Sequence, residues 1–461
     1  MTDEAFAAGP ADDDARDAAD AVYAELLDRV GEQAPEPRLG ATRRAVELLG
    51  DPHRAAPVIH LTGTNGKTST ARMIESLLRA GGLRTGLLTS PHLERFTERI
   101  RIDGEPVADA DVARIWGEIE PYVGIVDAEL ESAGEARLTF FEALTVLAFA
   151  VFADAPVDVV VLEVGMGGEW DSTNVADGQV AVFSPIALDH VARLGSTVAE
   201  IARTKAGIIK PGAAVVTAFQ APEALEVLSE VAARREATLE VEGGGFAVLD
   251  SQVAVGGQLI SVRGLAGEYR DLALPLFGRH QADNAALAIA AVESFLGGGT
   301  VRLADEVVQG GLAGATSPGR LQRIASEPTV IVDAAHNPHG AESLVASLEE
   351  YFDFSELVIV LSVLADKDAA GIARELARTG AQFLVTQGES ERAVSADRLA
   401  AVVASAAGAD RVQVVDRFEE ALESAREWAG AAPGRGVVVT GSITLVGEAI
   451  AYARDREWGR A

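Results

Sequence analysis

Apolar runs rich in β-branched residues alternate along most of the chain with stretches whose apolar positions recur at helical spacing. Val58–Thr62 reads as a buried strand, followed by a glycine-containing turn and a helix from Thr68 to about Ala80. Gly81 and Gly82 stop that helix, and Thr85–Leu88 makes the next strand. Val157–Val164 (VDVVVLEV) is nearly unbroken apolar sequence around a terminal carboxylate, the pattern of a central parallel strand. Val180–Ser184 and Ala213–Thr217 repeat it. Strands alternating with helices predict an α/β fold with a doubly wound, mainly parallel sheet. Such sheets hold ligands at the carboxyl ends of their strands.

The pattern changes further along. Residues 240–275 contain alternating segments such as Leu259–Arg263, which predict an antiparallel addition. A break falls between Leu296–Thr300 and Ser317–Arg320. Beyond it Thr329–Val332, Leu357–Leu361, Gln382–Thr386, Gln413–Val415 and Gly436–Thr440 are strand-like, with helices between. The expected organisation is an acidic tail over 1–20, a first domain over 21–317 and a smaller α/β domain over 318–461. The first helix is expected near Ala18–Val30. A length of 461 residues accommodates this division.

Composition narrows the function. Hydrophobic residues make up 48%, enough for a core. With 70 acidic against 39 basic residues the formal charge is −31, which argues against a nucleic-acid or anionic-membrane partner. There is no cysteine, so thiolate metal sites and cysteine nucleophiles are excluded. Lys67, Lys205, Lys210 and Lys367 are the only lysines, the other basic residues being arginine. Acid surplus with scarce lysine fits a salt-adapted cytosol, where screening relieves self-repulsion, whereas codon usage favouring arginine explains the scarce lysine but not the surplus acid. No apolar run is long enough to span a membrane, and the acidic start lacks the order of a signal peptide. A cytoplasmic location is expected.

The strongest chemical signal is Thr62-Gly63-Thr64-Asn65-Gly66-Lys67-Thr68-Ser69, directly after a strand and opening a helix. Backbone N–H groups of such a loop, backed by a helix N-terminus, form a concave anion site. Lys67 can reach outer phosphates and Thr68 can hold magnesium. The position of the first glycine in the full pattern is Leu61, with Gly63 filling the turn. Glu163 closes an apolar strand and precedes Gly165-Met166-Gly167-Gly168, a placement suited to magnesium, directly or through water. Asp189-His190 follows another strand of the same sheet, whereas Asp333 and His336 follow a strand of the second domain. His92 and His280 also lie in dense polar contexts, while His53 and His60 read as structural. Strand ends bearing chemistry in both domains suggest a ligand held between them. From the residues alone Lys205 is open: a helix-surface charge or a functional amine.

Taken together the motifs resemble the folylpolyglutamate and dihydrofolate synthase family of the Mur ligases, from about residue 38 onward. TGTNGKTS at 62–69, Ser90-Pro91-His92-Leu93, Leu138-Thr139-Phe140-Phe141-Glu142 and LEVGMGG at 162–168 are similar to family motifs in family order. Leu188-Asp189-His190, Lys205-Ala206-Gly207, Gly278–Ala285, Pro318-Gly319-Arg320, Asp333–Pro338, Asp366-Lys367-Asp368 and Gly441-Ser442 continue the series. The resemblance implies an ATP-dependent ligase that adds L-glutamate to dihydropteroate, to reduced folates or to both through an acyl phosphate. It implies a P-loop ATPase domain followed by a Rossmann-like glutamate-ligase domain, in a monomer.

Roles follow by the same resemblance. Gly63 to Ser69 would bind ATP together with Asn284, Arg320 and Asp333. Thr68, Ser90, Glu163, His190 and Lys205 would hold two magnesium ions, with potassium a further candidate. Lys205 would carry a carboxyl group as N6-carboxylysine. Lys67, His190, Lys205, Asp333 and His336 form the expected catalytic set. Phe141 and Asp171 would meet the pterin, and Ser442, with His336, the incoming glutamate. Glu169 and Trp170 replace the family's usual Arg and Leu, and Thr204 stands where a Glu usually precedes the lysine. Alternatives are a Mur-type ligase for another carboxylate, a P-loop NTPase switch and a non-catalytic nucleotide module.

Overall fold

The computed structural model describes residues 10–31, 36–390 and 392–458. By contact the chain forms two compact units. One comprises residues up to Ala247 with Arg263–Tyr269 and Ala286–Gly311; the other comprises Val248–Val262, Arg270–Ala285 and the chain from Leu312.

The first unit carries strands β1 (Val58–Thr62), β2 (Thr85–Leu88), β3 (Ile100–Ile102), β4 (Glu105–Pro106), β5 (Val159–Glu163), β6 (Gly178–Phe183), β7 (Ala214–Thr217) and β8 (Thr238–Val241). Their spatial order is β4-β3-β2-β5-β1-β6-β7-β8. Every pairing from β2 to β8 is parallel, while β3 and β4 add antiparallel. The chain leaves β1 toward β2 on one side and later builds β6, β7 and β8 on the other. The order therefore reverses at β1, and its carboxyl end is the place where this class of sheet binds ligands.

Both faces are covered, which explains why the central strands read as continuous apolar runs. On one face Val58, Val160 and Leu162 pack with Leu144, Leu147 and Phe149 of the helix Phe140–Asp154. On the other Ala181, Phe183 and Val215 pack with Ile201 and Leu228 of helices Val198–Lys205 and Pro222–Arg234.

Strands β9 (Ala247–Ala254), β10 (Gly257–Arg263) and β11 (Glu268–Leu274) form a separate three-stranded sheet in the order β11-β10-β9. The second unit's main sheet contains β12 (Gln322–Ser326), β13 (Thr329–Asp333), β14 (Glu356–Leu361), β15 (Gln382–Val385), β16 (Val412–Val414) and β17 (Arg435–Thr440). Its order is β12-β13-β17-β14-β15-β16, parallel except for β12. Ile331, Ile359, Phe383 and Val438 form its core with Leu344, Ile372 and Leu399 from flanking helices.

One expectation needs correction. The first helix spans Pro10–Leu27, so much of the stretch read as a solvated tail is helical, and residues 1–9 lie outside the described residues. Asp13 and Asp14, near the helix start, complement the positive end of its dipole. Among the described residues no helix is long and apolar enough to cross a membrane.

Candidate active site

The loop after β1 turns through Gly66, at φ 85°, into the helix Lys67–Ala80. Gly63 is required by close approach, since a Cβ there would lie 1.9 Å from the Ser184 hydroxyl. Thr64 ties the loop to the segment after β6: its N–H donates to the Pro185 carbonyl at 2.9 Å and its hydroxyl to the Ala187 carbonyl at 3.0 Å. That segment carries Asp189 and His190. His190 has left-handed backbone at φ 49°, its N–H donates to Asp189 Oδ1 at 2.8 Å, and its Nε2 lies 3.9 Å from the same carboxylate. Asn65 is partly exposed, while Ser69 is buried in the first helical turn.

Two lysines converge on one carbonyl. Lys67 Nζ donates to the Gly63 and Thr64 carbonyls at 3.3 and 3.1 Å, and Lys205 Nζ donates to the Gly63 carbonyl at 2.7 Å. Lys205 is buried at the end of its helix. Burial first, and then the positive charge of Lys67, push its ammonium down to about 7. A buried amine that is substantially neutral near pH 7 is a nucleophile rather than a surface charge.

Beside them, Thr68 Oγ1 donates to Glu163 Oε1 at 2.8 Å, and the Ser90 N–H donates to Glu163 Oε2 at 3.3 Å. Register explains the meeting: Glu163 pairs with Leu61, so the last residue of β5 lies next to the start of the P-loop. Hydroxyl and carboxylate oxygens are the hard donors magnesium takes, usually with one or two carboxylates, waters and phosphate oxygens completing the shell. The donor set therefore fits magnesium. Among the described residues no group of three or more His, Asp or Glu side chains is assembled to hold a metal by itself.

The loop after β5 is bolted on several sides. Thr62 Oγ1 donates to the Gly167 carbonyl at 2.8 Å, the Glu169 N–H to the Thr204 carbonyl at 2.8 Å, and Asn174 Nδ2 to the Glu169 and Gly207 carbonyls at 3.0 and 3.1 Å. Phe141 is partly buried against Gly165, where a Cβ would lie 2.6 Å from its ring. Asp171 is buried and accepts N–H bonds from Met166 and Thr173 at 2.9 and 3.0 Å, and a bond from the Thr173 hydroxyl. Its carboxylate thus holds the loop, a role its spacing in the sequence did not reveal. Trp170 packs inward on the apolar cluster around Ile201 and Leu194, whereas Glu169 is exposed.

The second unit assembles its own group at the end of β13. Asp333 accepts N–H bonds from Leu321 and Ala335, both at 2.8 Å. Burial raises its carboxyl pKa, and the nearby Arg320 guanidinium opposes that rise. Arg320 donates to the Ala334 carbonyl at 3.3 Å, and His336 Nδ1 lies 2.9 Å from the same oxygen. A carbonyl only accepts, so Nδ1 carries the proton of a neutral His336 and Nε2 is its acceptor nitrogen. Thr440 pairs with Asp333, placing buried Ser442 two residues beyond the neighbouring strand's end, where it caps the helix Ile443–Asp455. Asn284 belongs to this unit and donates to Gln281 at 3.2 Å. On the same helix face, His280 Nδ1 lies 3.1 Å from the Ser343 hydroxyl, and burial, then Arg320, push the ring down to about 4.

Residues 61–292 match the Mur ligase middle domain, and residues 319–443 the Mur ligase glutamate ligase domain. Dihydrofolate synthase/folylpolyglutamate synthase of Mycobacterium tuberculosis is 46% identical over 453 residues, 93% of each chain. The chain belongs to this family. A solved folylpolyglutamate synthase from M. tuberculosis, complexed with ADP and AMPPCP, superposes at TM-score 0.91 with 44% identity, covering 95% of this chain and 99% of that one. Escherichia coli FolC in complex with DHPP and ADP superposes at 0.81 with 30% identity, covering 95% and 98%. The ligase is accordingly an ATP-dependent enzyme of glutamate ligation. The readings as an NTPase switch and as a non-catalytic nucleotide module fall away.

Proposed function

We propose that the ligase joins the amino group of L-glutamate to the carboxylate of dihydropteroate, of a reduced folate, or of both, through an acyl phosphate. The observation that carries the site assignment is the pair Lys67 and Lys205 on the Gly63 carbonyl, beside Thr68 bonded to Glu163. In this reading Gly63 to Ser69 bind the ATP phosphates, and Lys67 turns from its own loop to the outer phosphates. Thr68, Glu163, Ser90 and His190 hold magnesium, with Lys205 as N6-carboxylysine toward a second ion and potassium a further cation. Magnesium, when bound, supplies the charge that lets an acceptor carboxylate approach the γ-phosphate.

The remaining steps fall to this chain's own side chains. The acceptor oxygen attacks phosphorus, ADP departs, and the glutamate amine then attacks the acyl carbon, expelling phosphate through a tetrahedral intermediate. His336 is the group we assign to receive the ammonium proton, through Nε2. Arg320, Asp333 and Asn284 hold the nucleotide, Ser442 the glutamate, and Phe141 and Asp171 the pterin, with Asp171 also fixing the bend beside it. We place the ATPase function in the domain ending at 317 and the glutamate-ligase function in 318–461, in a monomeric cytoplasmic enzyme.

Oxygen transfer tests the chemistry. With acceptor labelled by ¹⁸O in its carboxylate, an acyl phosphate requires one labelled oxygen in the released phosphate. Unlabelled phosphate at full amide yield would rule the intermediate out.

A further inference from the structure

His60 lies in the middle of β1 and is completely buried. Its Nε2 lies 2.9 Å from Thr173 Oγ1, while its Nδ1 is buried with no hydrogen-bond partner. Burying an imidazole with one nitrogen unsatisfied costs stability that an aliphatic residue would not. The other nitrogen shows what the residue is for. Thr173 donates its only hydroxyl proton to Asp171 Oδ1. Its oxygen can then only accept, so His60 must carry its proton on Nε2 and leave Nδ1 bare.

The chain of donors ends on the Asp171 carboxylate. Asp171 Oδ1 takes the Thr173 hydroxyl and N–H, and Oδ2 takes the Met166 N–H. These three bonds hold the carboxylate in place. They fix the bend that follows Glu163. Phe141 touches Gly165 on that bend, and a Cβ there would lie 2.6 Å from the ring and 3.2 Å from Asp171 Oδ2. The spacing between the phenyl face and the bend is therefore set by Asp171, whose own orientation is set by Thr173 and His60.

We propose that His60 and Thr173 are positioning residues of the pteroyl site, acting through Asp171 on the Gly165 bend. The proposal rests on the reading of Phe141 as the pterin wall. His60→Leu and Thr173→Val break the relay at different links, so Thr173→Val keeps the test alive where His60→Leu fails to fold. Each is expected to raise the KM for the pteroyl acceptor about tenfold, with kcat and the KM for ATP within about twofold. Thr173→Ser, which keeps the hydroxyl, and His60→Gln, which keeps an N–H donor at the same reach, should restore most of the loss. ¹⁵N spectra should show the Nε2–H tautomer of His60.

A purely structural role would lower the melting temperature and move both KM values together, or neither, and either result overturns the proposal. So does a Thr173→Ser enzyme as impaired as Thr173→Val, or an Nδ1–H tautomer. Phe141→Ala separates the two levels. If it raises the pteroyl KM while the relay variants do not, the relay alone is wrong. If Phe141→Ala also leaves that KM unchanged, the pterin-wall reading has failed and the relay proposal falls with it.

Discussion

Burial and the Lys67 charge leave about half of the Lys205 amine neutral near pH 7. A carbamate forms from the neutral amine and carbon dioxide, so the pH dependence has a definite sign. With a pKa of about 7 the neutral fraction climbs from about one-tenth at pH 6 to about nine-tenths at pH 8. Bicarbonate-dependent activation of stripped enzyme should rise over that interval, and a response flat in pH would contradict the assignment. Lys205→Ala should lose most activity and regain part with acetate, whereas Lys205→Arg should not be rescued. Wild-type turnover by Lys205→Arg would make the lysine a structural cation. Lys67→Ala is a cleaner loss: turnover abolished with the melting temperature little changed, because the bonds shown for its amine go to carbonyls of its own loop. The P-loop and Glu163 were legible in the sequence because strand, turn and helix fix where such residues point. Lys205 was open because depressed basicity is a property of surroundings, and the surroundings include the loop after β1, 142 positions away in the chain. The relay through His60 was invisible for the same reason.

At the scale of elements, the central strands were legible to within a residue or two, since strands buried on both faces must be continuously apolar. β5 starts at Val159 rather than Val157 because Asp158 turns to bond Arg84, accepting its N–H at 2.7 Å. The β3–β4 hairpin was missed although its signal was present. Asp103-Gly104 sits between short strands with φ of 50° and 82°, the backbone a two-residue hairpin turn requires. The helix Phe140–Asp154 starts with a reciprocal cap, Thr139 Oγ1 accepting from the Glu142 N–H and Glu142 from the Thr139 N–H. Arg38 grips the same carboxylate with two nitrogens at 3.1 Å. Thr139→Ala should cost about 1 kcal/mol of unfolding free energy by denaturant titration. A change near zero would mean that Arg38 and packing alone hold the helix start.

Taken whole, the molecule is dominated by its charge. At −31 the long-range repulsion outweighs what exposed arginine–carboxylate pairs return, and salt screens both. Molar KCl should therefore raise the melting temperature. A flat or falling value would leave arginine-rich codon usage as the simpler account of the composition. The division into units was less legible than the strands, because Val248–Val262 and Arg270–Ala285 join the C-terminal unit through contacts rather than chain order. Asn284 consequently shares a unit with Arg320 and Asp333.

A ligase of this kind couples ATP cleavage to glutamate addition on a pteroyl carboxylate. The direct test offers dihydropteroate, dihydrofolate and tetrahydrofolate in turn, with ATP, magnesium and L-glutamate, and follows ADP release and product mass together. ADP formation should require both acceptor and glutamate, be matched one for one by glutamyl product with at least one acceptor, and be absent in Lys67→Ala. ADP release indifferent to glutamate, or amide formed on none of the three acceptors, would contradict this coupling.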